Sequence, residues 1–431
     1  MSFSLPILSV TLTPSTGSPV SLFSSTTGAT FDLTRFQADS DLLASNVSVA
    51  AGAYTAVSVT VGAPSGVFFN GSTAAVGSCA AGQVCSVPPG TAGTLTFTFT
   101  SPLTLTANQA QWLDLDFNYN NAIVTTNGIG IDITQPNFLT ALSTPPMGIP
   151  TGDFANIDDF TGAVTAVSSS SITIQSTARG SLTASISSST IPVNDPQGKC
   201  NGGGNFSCIL PGTVVSLQGV LTNTGVISGT ELDVIDSATT PADEVEGTVY
   251  STNCNGASGL GLLLTDSSIS TSGSPLVTAG FGSKVCLTLA AGVTFAIDSG
   301  ILTGHSFAGT FAGANDLFPG QAIRAKVTNA VSGSNIINAT ASALILRFSR
   351  LTASVNNVSG TSFTITSFPA YFTSFVAGAT PAVQTYTNVT LFEGIPNIGG
   401  LSSPGTVSIT ALFLNPGTSQ QPFQAAKVRV P

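Results

Sequence analysis

The segment Thr94-Leu-Thr-Phe-Thr-Phe-Thr alternates strictly between hydroxyl and apolar side chains. Period-two alternation rich in Thr, Val, Ile and Phe is typical of a β-strand with one buried face. The same pattern recurs at Ser171-Ile-Thr-Ile and Ser362-Phe-Thr-Ile-Thr, and Gly, Pro, Asn and Ser interrupt the runs at short intervals. This spacing predicts an all-β fold of sandwiches and small barrels. Helical patterns are scarce, and Asp32 to Leu43 is the candidate for a short helix or turn.

The chain has 431 residues, which exceeds one ordinary domain. Residues 1–145 form the first predicted unit, a β-sandwich, and the Pro-rich residues 146–156 form a predicted linker. Three copies of a pattern follow, each with an alternating strand and a later Pro-Gly turn before another strand, and such repetition indicates tandem domains. The predicted small β-barrel or sandwich domains cover residues 157–237, 243–348 and 349–431.

Charged residues make up only 7% of the chain, against about 25% in an ordinary soluble domain. The 10 basic residues are scattered and the net charge is −10, so a nucleic-acid partner is not expected. With so few titratable groups, we predict neither an enzyme nor a cofactor. The single histidine, His305, lacks a nucleophile motif nearby and is interpreted as a surface residue. No apolar run reaches about 18 residues, so no transmembrane helix is predicted.

The six cysteines fall into close pairs, which favours disulfides over metal ligands because metal-type spacing and histidine clusters are lacking. We expect an extracellular or cell-surface location, with an export signal that is not present in this chain. The predicted bonds are Cys79–Cys85, Cys200–Cys208 and Cys254–Cys286.

Paired carboxylates provide the weak candidates for a metal site. Asp114 and Asp116 flank Leu115, so both point to one face of a predicted strand, where calcium is one possibility and a solvated strand face the other. The acidic runs Asp158-Asp159 and Asp243-Glu244-Val-Glu246 begin the first two repeats. There, junction calcium and simple solubilising charge are both open.

The start of the chain is the candidate assembly element. Residues 2–12 are apolar and strand-like, and a terminal strand can complete an open sheet in a neighbouring subunit. The alternative is that this segment is simply the first strand of its own domain. The side chains that would fill the neighbouring sheet are Phe3, Leu5, Ile7, Val10 and Leu12.

The first unit contains the segments Leu8-Ser-Val-Thr-Leu-Thr, Val20-Ser-Leu, Asp32-Leu-Thr, Val49-Ala-Ala-Gly-Ala-Tyr-Thr-Ala-Val-Ser-Val and Leu113-Asp-Leu-Asp-Phe. In these segments it resembles a bacterial lipoprotein domain, domain of unknown function 4382. The repeats resemble an uncharacterised small-barrel family found in similar secreted proteins. These resemblances imply a secreted location and a lipid anchor, but no established activity.

These observations favour a non-catalytic extracellular structural or adhesive protein, joined to copies of itself by strand exchange into a filament. The alternative is a surface-anchored module that binds a surface glycan or a protein. Exposed aromatic side chains around Tyr371 and Phe372 would favour that alternative.

Overall fold

The computed structural model describes residues 2–35, 40–125, 128–150, 155–195, 199, 205–236, 242–254, 259–334, 336–367, 369, 372, 380–415 and 421–430, with the side chains of residues 35 and 159 left out. Strands account for 56% of the structure and helices for 6%, which confirms the predicted all-β class. Among the described residues, the only α-helix is α1, Tyr119–Ala122. Of the segment from Asp32 to Leu43, predicted as a short helix or turn, Asp32 ends a strand, Leu33–Arg35 form a 3-10 turn, and residues 36–39 lie outside the described residues.

The first domain is a sandwich of a large sheet and a two-stranded sheet. The large sheet has the order β5-β4-β1-β3-β6, with β2 also paired to β1, and the small sheet pairs β7 with β10. Core side chains come from both layers, such as Phe3 on β1 and Ala141 on β10. The strands are β1 (Ser2–Pro14), β2 (Val20–Asp32), β3 (Gly52–Val61), β4 (Ser65–Phe69), β5 (Val84–Val87), β6 (Gly93–Leu105), β7 (Leu113–Phe117), β8 (Ile123–Val124), β9 (Gly130–Ile131) and β10 (Leu139–Ser143).

The next strands form a closed five-stranded barrel. β11 pairs with β12 and β15, and the barrel closes where β13 runs parallel to β16. When β11, β12, β13, β15 and β16 are numbered 1 to 5 along the chain, their order around the barrel is 1-2-3-5-4-1. This is the arrangement of the OB-fold, a Greek-key barrel. The strands are β11 (Asn156–Val167), β12 (Ser171–Ser176), β13 (Gly180–Ser185), β14 (Val193–Asn194), β15 (Val214–Leu221) and β16 (Ile227–Asp236).

Two further barrels repeat this strand order. In the second barrel β19 runs parallel to β21, and in the third β23 runs parallel to β26. The strands of the second barrel are β17 (Asp243–Ser251), β18 (Leu260–Ser268), β19 (Lys284–Ile297), β20 (Ala322–Ser332) and the first half of β21 (Ile337–Ser359). The third barrel uses the second half of β21 with β22 (Ser362–Thr366), β23 (Ala382–Gln384), β24 (Leu391–Glu393), β25 (Gly405–Phe413) and β26 (Phe423–Arg429).

The Pro-Gly turns occupy the same place in every barrel, at the start of the fourth strand. Pro211-Gly212 and Pro319-Gly320 precede β15 and β20, and Pro404-Gly405 overlaps the start of β25, whose first residue is Gly405. Gly212 and Gly320 take positive φ angles of 93° and 97°, a region that glycine enters without steric strain. The repeated sequence signal therefore marks the turn that leads the chain into the fourth strand of each barrel.

Strand β21 has 23 residues and belongs to both the second and the third barrel. The core of the second barrel also includes Leu412, Leu414 and Ala426, which belong to the third barrel or lie just beyond its strands. By contacts the chain divides into two compact units. The first comprises residues 1–193 and 200–239, and the second comprises residues 194–199 and 240–431.

Candidate functional site

The candidate assembly strand lies at the centre of its own domain. β1 pairs with β2, β3 and β4, and its side chains Phe3 and Leu5 are fully buried. The carboxylate of Asp32, itself buried, accepts a hydrogen bond of 2.9 Å from the backbone N–H of Phe3 and so holds the beginning of the strand. The remaining candidates Ile7, Val10 and Leu12 are also at most 4% exposed. In the single chain, the segment is thus the first strand of its own domain.

Asp114 and Asp116 lie on one face of β7, opposite Leu142 and Thr140 of β10. Burial removes water from the carboxyl group of Asp114 and raises its pKa to about 6. Asp116 is exposed and accepts a weak hydrogen bond of 3.4 Å from the hydroxyl of Thr140. Within the part of the chain that the structure describes, no group of three or more His, Cys, Asp or Glu side chains is placed to hold a metal ion.

Two of the three predicted disulfides are confirmed. Cys79–Cys85 and Cys254–Cys286 both have Cα–Cα distances of 5.8 Å, the usual separation for this bond. In the predicted pair Cys200–Cys208, Cys200 lies outside the described residues. Disulfides persist in oxidising compartments, which suits an extracellular environment. Among the described residues, no helix has the length and apolar character needed to span a bilayer.

A buried ionic network on the second barrel was not foreseen from the sequence. Arg324 on β20 lies opposite Glu246 on β17 and donates to its Oε2 from Nε at 3.1 Å and from Nη2 at 2.7 Å. The Nε of Arg347 lies 3.8 Å from the same oxygen. Glu246 and Arg324 are 7% and 6% exposed, so each charge depends on its partner for stabilisation.

The network extends through further buried charges of the second unit. Arg347 also forms an ion pair with Asp298, and Lys199 forms one with Glu244. Asn194 donates a hydrogen bond to Asp298. The segment that contains Asn194 and Lys199 is therefore attached to the second barrel by charged and polar contacts, in accordance with its place in the second unit.

The acidic runs at the starts of the repeats have structural partners. Asp243 accepts hydrogen bonds through Oδ1 from the backbone N–H groups of Ser270 and Thr271, each at 2.8 Å. Burial raises the pKa of the Asp243 carboxyl, but these hydrogen bonds outweigh burial and leave the pKa below its ordinary value. Asp158 accepts from the N–H of Ser40 at 3.2 Å. Each of these two carboxylates thus stabilises backbone N–H groups within its own unit.

The barrel surface that binds ligands in OB-folds is formed by the second and third strands. In the first barrel these strands are β12 and β13, and their outward positions carry only hydroxyl and amide side chains. Thr173 and Thr183 share a hydrogen bond of 2.9 Å across the two strands. This face offers neither cations for phosphate groups nor aromatic rings for base stacking. The outward residues are Ser171, Thr173, Gln175, Ser181, Thr183 and Ser185.

The aromatic candidates are only partly described. Phe372 is 5% exposed and packs against Phe413 and Phe423, so it belongs to the core of the third barrel, while Tyr371 lies outside the described residues. His305 is exposed, and its ring centroid lies 4.8 Å from that of Tyr386. The contact with Tyr386 is a packing interaction on the surface.

Residues 4–133 match the family model described as Domain of unknown function (DUF4382). The predicted resemblance of the first unit to this domain is thereby confirmed, while its lipoprotein context and the kinship of the repeats stay predictions. No curated protein matches the chain. A solved structure described as drosophila Unr CSD456 is 10% identical over 64% of this chain and 97% of that chain, with a TM-score of 0.15, which carries no argument about fold or function.

Proposed function

We propose that the chain is a non-catalytic extracellular structural protein, a subunit that assembles with copies of itself through exchange of β1. The observation that carries the structural role is strand β21, which runs without interruption through two barrels that share core side chains. A spacer needs such continuity, because a flexible linker between domains would let them bend independently. The two disulfides support a location in an oxidising compartment, including the lipid-anchored surface that the family resemblance implies.

The central position of β1 supports strand exchange as the joining contact. An identical strand from a neighbouring copy would restore every hydrogen bond and every buried side chain of β1. The form in which β1 packs in its own domain and the form in which it packs in a neighbour therefore differ little in contact energy. Because each copy would donate its strand to the next, the contact is head-to-tail and does not close on itself. A chain of such contacts is a filament.

The proposal is tested by negative-stain electron microscopy of the purified chain, with a synthetic peptide of residues 2–14 added in excess. We expect filaments that become shorter with the peptide, since the peptide occupies the site of the exchanged strand. The control peptide carries Asp in place of Leu5 and Ile7, two buried side chains, and is expected to have no effect.

Two results would contradict the proposal. Filaments that both peptides leave unchanged would exclude exchange of β1 as the joining contact. Single particles at every protein concentration would exclude self-assembly and would support a surface-anchored module that binds a glycan or a protein.

A further inference from the structure

The large sheet of the first domain carries almost no charge. Residues 42–113 contain no Asp, Glu, Lys or Arg, and among strands β1 to β6 the one charged residue is the buried Asp32. A chain with a net charge of −10 would ordinarily repel its own copies. At this sheet, however, direct electrostatic repulsion between two copies is weak.

Two edges of this sheet are protected against pairing with another strand. Edge strand β2 has two register shifts against β1 and a glycine, Gly28, with φ of 80°, and such irregularities disrupt a regular edge. Edge strand β5 has only four residues, and Cys85 within it is tied to Cys79. Short or irregular edges are the usual protection of sheets in soluble proteins.

The third edge, β6, has no such protection over its first six residues. Gly93 to Thr98 pair with β3 in an uninterrupted register, from Val61 to Ala56. Among the described residues, the backbone of residues 93–98 pairs with β3 alone, and residues 99–102 lie between this register and the next pair, Leu103 with Tyr54. Over residues 93–100 the outer edge of this strand therefore presents backbone donors and acceptors to solvent, with neither charge nor proline to hinder another strand, and the proline of β6, Pro102, lies beyond this segment.

The sequence of this edge is complementary to itself in the antiparallel direction. With Phe97 on a twofold axis, Thr96 of one copy lies opposite Thr98 of the other, and Leu95 lies opposite Phe99. Thr94, Thr96 and Thr98 are exposed on one face, whereas Leu95, Phe97 and Phe99 pack towards the core on the other. Each pair thus joins side chains of the same kind on the same face, and Thr–Thr and aromatic cross-strand pairs are stabilising.

We propose that β6 is a dimer interface, at which two copies of this chain pair antiparallel through residues 94–100 and merge their sheets into one. The inference rests on the proposed self-assembly for its partner, but it concerns a different surface from β1. A twofold contact of this kind closes on itself and joins only two chains. Exchange of β1 would lengthen a filament, whereas pairing through β6 would cross-link two filaments. Both contacts together would give paired filaments.

The test compares the dimer dissociation constants of the wild type and the double variant T96K/T98K by analytical ultracentrifugation. In the proposed register the lysine that replaces Thr96 in one copy faces the lysine that replaces Thr98 in the other, twice per dimer. Like charges directly opposite each other destabilise strand pairing. We expect the dissociation constant to rise about tenfold or more. The matched control is S181K/T183K, with the same spacing at exposed positions of β13, which has partners on both sides.

A mixture of oppositely charged variants distinguishes repulsion across the interface from a general effect of lysine on the fold. An equimolar mixture of T96K/T98K with T96E/T98E places each lysine opposite a glutamate, so we expect the dimer to return as a heterodimer. Loss of dimerisation without rescue by the mixture would overturn the proposed register. Dimers that resist T96K/T98K would overturn the β6 interface and leave exchange of β1 standing, and a wild type that stays monomeric would overturn the inference outright.

Discussion

Replacing Asp114 with Asn is expected to stabilise the first unit at neutral pH. The pKa of this carboxyl is raised from 3.8 to about 6 in the folded chain, so folding disfavours its charged form. The difference of 6 − 3.8 = 2.2 pKa units corresponds to about 3 kcal/mol as an upper bound at full burial. Because Asp114 is only partly buried, solvent screening reduces the expected gain to about 1 kcal/mol.

The pH dependence gives the sign of the effect. Below about pH 4 the carboxyl is protonated in the folded chain and the substitution changes little. The destabilisation of the wild type develops as the pH rises from about 4 to about 6 and is complete above that, so the stability gain of D114N grows over this range and stays constant at higher pH.

The assay is urea unfolding from pH 4 to pH 8, followed by tryptophan fluorescence. Trp112 is the one tryptophan of the chain, and its indole N–H donates to the carbonyl of Thr222 at 3.1 Å within the first unit. Its emission therefore reports this unit separately. D116N removes one negative charge from the same strand face and measures the general charge effect. Equal stability of D114N and wild type at pH 7, or a difference that does not change with pH, would refute the reasoning.

Three further changes test the second unit by calorimetry. Glu246→Gln is expected to lower its free energy of unfolding by about 3 kcal/mol, because the buried guanidinium groups lose their counter-charge; an unchanged unfolding temperature would contradict a buried network. Removal of the Cys254–Cys286 bond by a double Ala substitution is expected to lower stability by about 3 kcal/mol, and reduction of the wild type should reproduce the loss. Gly320→Ala is expected to lose about 2 kcal/mol, since φ is 97° and a Cβ would lie 2.6 Å from an aromatic ring, whereas Gly313→Ala, with open space around its Cα, should lose much less.

Local patterns predicted the strands, but they could not predict how the barrels close. The alternation at Ser171-Ile-Thr-Ile became β12, with Ile172 and Ile174 fully buried. Closure depends on parallel pairing such as that of Ala184 with Ile227, and no local feature of either strand specifies such a distant partner. The Pro-Gly turns were the useful long-range signal, because the same turn recurs at one place in a shared topology.

The ionic network was missed for a related reason. Glu246 and Arg324 are separated by 78 positions, and their contact follows only from the register of β17 with β20. The sequence did contain a hint. Glu244 and Glu246 lie on the same face of one strand, and Arg324 and Lys326 lie on the same face of a second strand. Opposite charges spaced by two residues on two predicted strands indicate neighbouring strands, because cross-strand pairs of opposite sign stabilise a sheet.

The distribution of charge links the fold to the proposed assembly. Glu246 and Arg324 are buried in the second barrel and Arg347 is half-buried beside them, where an ion pair stabilises one strand register against others and contributes little to solubility. The large sheet of the first domain, in contrast, has no charged side chain at its surface among the described residues. A monomeric protein ordinarily places charges along such a sheet edge to prevent association. The regular and uncharged edge of β6 lacks this protection over residues 93–98, which supports the proposed association through that edge.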